Sequence, residues 1–113
     1  MSARIKRNAP LLTALYHATP KKRKDILSHG SPDFIQTLCE IALNLLKGNI
    51  PLSPSQLKKL KRQKKAIRLL ANKNVSLTSK RQTLKKQSGG FILPLLAAVV
   101  PMIGSLLGGI ARR

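Results

Sequence analysis

Seven lysines and arginines fall within residues 58–68: Lys58, Lys59, Lys61, Arg62, Lys64, Lys65 and Arg68. Lys73, Lys80, Arg81, Lys85 and Lys86 follow, and residues 53–86 contain no acid at all. Cations at such density suit one kind of chemistry, the neutralisation of phosphates. A solvated face that only confers solubility usually mixes both signs. Lysine acts as a point charge rather than a bidentate base reader, so the expected binding is to a nucleic-acid backbone without sequence preference. Log affinity should then fall with log salt at a slope of about −0.9 per phosphate contacted.

Little other chemistry is available. The 113 residues hold 22 Lys or Arg against three acids (Asp25, Asp33, Glu40), two histidines and one cysteine, for a net charge of +19. His17, His29 and Cys39 lack metal-ligand spacing and no catalytic motif is present, so neither an enzyme nor a metal or cofactor is expected. Cys39 reads as a small core residue, and His29 as a helix C-terminal one. The three acids read as helix N-terminal groups or surface pairs. Three aromatic residues (Tyr16, Phe34, Phe91) argue against a base-stacking single-strand surface. A single cysteine excludes an internal disulfide and suits a reducing compartment. The short apolar stretch 11–18 runs straight into charge, unlike a secretory signal.

The elements that position the cations read as helices. Residues 10–18 form a short candidate. Thr19-Pro20 and Ser31-Pro32 are start signals, and Gly30 and Gly48 are stops. In the segment between, Phe34, Ile35, Leu38, Cys39, Ile41, Ala42, Leu45 and Leu46 share one side of a helical wheel. Gln36, Thr37, Glu40, Asn44 and Lys47 take the other. Ser53 and Gln56 make a capping box opening a helix to about residue 71, striped by Leu57, Leu60, Ile67, Leu70 and Ala71. Lys64 falls inside that stripe and has to snorkel outward. Ser79 and Gln82 suggest a last capped helix to residue 86. No strand-like alternation or internal repeat stands out. The fold class expected is all-α: a basic domain of three to four short helices, a Gly-Gly joint and an apolar C-terminal helix.

Charge divides the chain. Twenty of the 22 basic residues precede Gln87, and residues 87–111 carry none. This predicts a nucleic-acid-binding domain over 1–86, a linker over 87–90 and an apolar tail over 91–113. Residues 91–110 are long enough, at about 30 Å of helix, to span a bilayer. Phe91, Leu95, Leu96, Val99, Ile103, Leu106 and Leu107 would face lipid, with Pro101 interrupting and Gly104 and Gly108 at close-packing spacing. A tail-anchored or membrane-active protein, its basic domain against anionic headgroups, is therefore the rival expectation. The tail could instead pack on the basic domain or on a partner, and a third expectation for the whole chain is an RNA-binding or ribosome-associated basic module, which would leave the apolar tail without an explanation.

Two stretches resemble known families. Pro20-Lys21-Lys22-Arg23-Lys24 is similar to the nuclear import signal of the polyomavirus large T antigen type. Gly89-Gly90-Phe91-Ile92-Leu93-Pro94-Leu95-Leu96, followed by Ala97-Ala98-Val99-Val100-Pro101 and a glycine-rich end, resembles the C-terminal part of the adenovirus core protein X family, the precursors of the mu peptide. The Lys-rich, helical layout is closest to versions from adintovirus and Maverick/Polinton-type elements. The resemblance implies a virion core protein of the host nucleus and the virion that condenses viral double-stranded DNA. It also implies cleavage by a viral cysteine protease between Gly90 and Phe91, and capsid proteins as further partners.

Overall fold

Three helices begin alike, with a Ser or Thr in extended conformation followed by proline. Thr19 Oγ1 accepts the Lys22 N–H at 3.2 Å, Ser31 Oγ the Phe34 N–H at 3.1 Å and Ser53 Oγ the Gln56 N–H at 3.1 Å. Each proline sits where a backbone donor would have had no partner. Gln56 Oε1 also accepts the Ser53 N–H at 3.0 Å, completing the expected capping box. The computed structural model describes residues 3–86 and 93–101. It contains α1 (Ala3–Arg7), α2 (Ala9–His17), α3 (Pro20–His29), α4 (Pro32–Leu46), α5 (Pro54–Lys61), α6 (Lys64–Ala71), α7 (Leu77–Lys86) and α8 (residues 93–101). The fold is all-α, with no strand among the described residues.

More helices form than the three to four expected, for local reasons. Pro10 cannot donate to a preceding turn, so α1 and α2 separate at Asn8. The expected single helix over 53–71 breaks at Arg62–Gln63, where Gln63 has φ −110° and ψ 21°. A continuous helix would have carried Lys64 into the apolar stripe. With the break, Leu60, Ile67 and Leu70 are buried while Lys64 starts α6 at the surface. Leu57, placed in that stripe by its spacing, is 43% exposed. The last helix starts two residues before Ser79, because Ser76 Oγ accepts the Ser79 N–H at 3.2 Å and is the earlier cap.

The apolar face of α4 organises the core. Phe34, Ile35, Leu38, Ile41 and Ala42 are fully buried, and α4 packs against α1, α6 and α7. In turn α7 packs on α3 and α6, and α2 on α1 and α3. Two glycines shape the ends of α4. Gly48 follows it at φ +75°, a left-handed conformation that costs a residue with Cβ about 1 kcal/mol or more. A Cβ on Gly30 would lie 2.8 Å from the Phe34 ring and 3.1 Å from the Ile26 carbonyl oxygen. The loop between α3 and α4 can therefore close over Phe34 only with glycine there.

The described part of the apolar tail joins this core. On α8, Leu95 and Leu96 are fully buried and Val99 is 1% exposed, in the same cluster as Leu12, Leu15, Phe34 and Leu84. Three side chains expected to face lipid are thus covered by protein. Phe91, Ile103, Leu106 and Leu107, with Gly89, Gly90 and the end of the expected span, lie outside the described residues.

Truncating Leu96 to alanine should lower the unfolding free energy of the full chain by about 2–5 kcal/mol. Urea denaturation followed by circular dichroism measures it. An unchanged midpoint would show that α8 contributes nothing to the core.

Candidate nucleic-acid interface

The capping box and the turn at Arg62–Gln63 place the densest basic segment on two short, consecutive helices. Lys58, Lys59 and Lys61 on α5, Arg62 in the turn, and Lys64, Lys65 and Arg68 on α6 are all exposed. Leu60, Ile67 and Leu70 anchor the opposite side in the core. Neither helix carries an acid. Lys73 and Lys86 are exposed too, and Lys85 is partly so.

Two residues of the predicted set turn inward instead. Lys80 is 6% exposed on the buried side of α7, close enough to Cys39 to act on its thiol. Arg81 donates from one guanidinium nitrogen to the Leu27 carbonyl at 2.8 Å and to the Gly30 carbonyl at 2.6 Å. These oxygens end α3, where the last carbonyls have no partners within the helix and the dipole favours a cation. Arg81 is therefore a clasp between α7 and α3. Sequence periodicity gave no sign of this, because its partners lie 51 and 54 residues away.

The import-like cluster lies on the first turns of α3. Lys21, Lys22 and Lys24 are exposed, whereas Arg23 is 4% exposed and its guanidinium donates to the Ala18 carbonyl. An extended recognition peptide is not the conformation found here.

One acid, Asp33, is tied into the fold between helices. Asp33, in the first turn of α4, accepts from Arg7 Nη2 at 2.9 Å and Nε at 3.3 Å, from Arg4 Nε at 3.2 Å and from Asn8 Nδ2 at 2.9 Å. Asn8 also donates to Thr37 Oγ1, which donates to the Asp33 carbonyl. Thr37, assigned to the solvent side by its spacing, is fully buried by this network. Hydrogen bonds from Arg7 and then Asn8 lower the Asp33 carboxyl from 3.8 to about 2, and the same contact raises Arg7. Asp25 pairs with His29 at 3.3 Å and Lys22 at 4.0 Å. Burial pushes the Cys39 thiol up, with the nearby Lys80 charge opposing it. A buried, protonated thiol is a poor nucleophile.

Among the described residues no three His, Cys, Asp or Glu side chains gather as a metal site. No described helix is long and apolar enough to cross a membrane. No protein family matches the chain, and comparisons with curated proteins and with solved structures give no match either.

Replacing Arg81 with glutamine should cost about 1.5–3 kcal/mol, the usual contribution of hydrogen bonds to a charged group. Lys61→Gln on the exposed face should stay within about 0.5 kcal/mol of the parent chain. Equal effects in chemical denaturation would refute the inward role of Arg81. Asp33 binds its proton more weakly folded than unfolded, so its contribution is complete above pH 3.8 and disappears as pH falls towards about 2. Asp33→Asn should remove that acid limb. Thermal midpoints of the two proteins should differ at pH 5 and converge near pH 2, and a constant gap would contradict the assignment.

Proposed function

We propose that this protein is a virion core protein that binds and condenses double-stranded viral DNA without sequence preference. The α5–α6 face supplies the phosphate contacts. One observation carries the reading: seven exposed cations over residues 58–68, with no carboxylate on either helix. The three acids lie on other helices: Asp25 4.0 Å from Lys22 on α3, Asp33 in ion pairs with Arg4 and Arg7, and Glu40 on α4. Exposed lysines neutralise phosphate without reading base edges, and compaction asks for no more than this.

The likeness of residues 89–101 to the adenovirus core protein X family supplies the packaging context. The proposed setting is the virion and the host nucleus, with cleavage after Gly90 by a viral cysteine protease. Such a cut would detach α8, and with it Leu95, Leu96 and Val99, from the chain that binds DNA. Processing and the stability of the folded domain are then coupled. Bound DNA would offset part of the loss, because a ligand that binds only the folded state stabilises it.

Titrating the full chain against random-sequence duplexes at several salt concentrations tests the reading. Affinities should be equal across sequences, with a linear log–log salt dependence. The combined substitution Lys58→Gln, Lys59→Gln and Lys61→Gln should reduce its slope by about three. Absence of binding at about 50 mM salt would overturn the proposal.

A further inference from the structure

A groove between α2, α5 and α8 brings together two basic segments that lie far apart in sequence. It measures about 590 Å³ and is lined by Tyr16 and His17 from α2, Gln56 and Lys59 from α5, and Leu93 and Pro94 from α8. Lys59 is one of the exposed cations of the α5–α6 face, so that face reaches the groove. From His17 the chain continues through Ala18 to Thr19, which lines a second concavity, of about 490 Å³, with Lys21, Lys22 and Lys24. Two residues of chain span at most about 7 Å. The α3 lysines, all exposed, therefore begin beside the groove. Asp25 is the one acid lining either concavity, and it stands 4.0 Å from Lys22 and 3.3 Å from His29.

His17 occupies the junction. It is exposed in the last turn of α2, where the helix dipole favours a cation. Lys59 of α5 is the charged group that shares the groove with it, and Tyr16 is the titratable one beside it, with ring centroids 5.1 Å apart. Lys21 follows it four residues on at the start of α3, and α8 lines the groove with apolar residues only. Histidine gains its charge between about pH 8 and pH 5, and an anion nearby favours the charged form.

We propose that the groove and the α3 lysines extend the α5–α6 face into one phosphate-binding track, with His17 as the contact at its junction. The backbone of a duplex passes from Lys59 over His17 to Lys21, Lys22 and Lys24. The longest dimension of the body, 41 Å, is close to one turn of duplex, ~34–36 Å. A single segment can therefore cover the track. This rests on the duplex-binding reading of α5–α6, and it gives that interface a pH dependence that lysine and arginine alone would lack. The import-like Lys21, Lys22 and Lys24 thereby become DNA contacts.

The test uses the full chain with short duplexes of random sequence, followed by fluorescence anisotropy over a range of salt and pH. With duplex in excess, binding should saturate at one duplex per chain. The Lys21→Gln, Lys22→Gln, Lys24→Gln variant should reduce the salt slope by about three, as the triple variant on α5 should, and the two sets together by about six. His17→Gln should leave affinity at pH 8 within about twofold of the parent and lower it about three- to fivefold at pH 6. Circular dichroism of every variant checks that the helices persist.

An unchanged salt slope in the α3 variant overturns the single track. So does binding of two duplexes per chain. Equal affinities of His17→Gln and the parent at both pH values overturn the assignment of His17. In each case a slope reduced by the α5 variant keeps the α5–α6 reading intact, whereas a parent chain that binds no duplex defeats both.

Discussion

A chain with 22 cations and three acids cannot bury a basic side chain against a carboxylate more than a few times, so backbone carbonyls take that part. The Arg81 clasp on Leu27 and Gly30 is the chief instance. It satisfies oxygens that the end of α3 leaves open, and it fixes α7 against α3 at the point where Gly30 lies over the Phe34 ring. Arg23 does the same on a smaller scale, closing on the Ala18 carbonyl behind it. Helix C-termini supply this charge complementarity without any acidic residue. The fold can then bury cations and still present an outer face with no negative charge.

Such an arrangement leaves a small hydrophobic core, and α4 is its centre. Its apolar side meets α1, α6 and α7, and the α8 leucines complete the cluster. Asp33 adds a polar fastening at the other end, tying α1 to the first turn of α4 through Arg4, Arg7 and Asn8. Repulsion among surface cations opposes all of these, and a bound polyanion would relieve it. In the proposed function, stability and DNA binding are therefore linked rather than separate properties.

Much of this architecture was legible in the residues. Thr19, Ser31 and Ser53 announce helices because capping is local chemistry between neighbours. The wheel of α4 is clear because one face carries nearly every apolar residue. Other features depend on contacts far along the chain. Arg81 and Lys80 look no different from Lys85 and Lys86 in sequence, and only packing on α3 and α4 decides which cations turn inward. The break at Arg62–Gln63 did leave a trace, since Lys64 interrupts an apolar stripe. Snorkelling and a turn both answer that conflict, and the chain adopts the turn. Ser76 and Ser79 compete as caps, and spacing alone does not rank them.

The division of labour between the two basic residue types follows from their chemistry. Arg23 and Arg81, which turn inward, carry planar guanidinium groups able to donate in fixed directions to carbonyl oxygens. The outward positions of α5 and α6 are mostly lysine: Lys58, Lys59, Lys61, Lys64 and Lys65 against Arg62 and Arg68. Lysine holds a strongly hydrated charge on a flexible stem and gives up little by changing partners. A face of lysines can therefore track phosphates along a duplex without committing to one register. Lys80 also turns inward, but arginine donates to the carbonyls inside and lysine predominates on the α5–α6 face, so a small body can stay ordered while its contacts with a polyanion remain interchangeable. Under the proposed function, that combination suits the packaging of a long nucleic acid of arbitrary sequence.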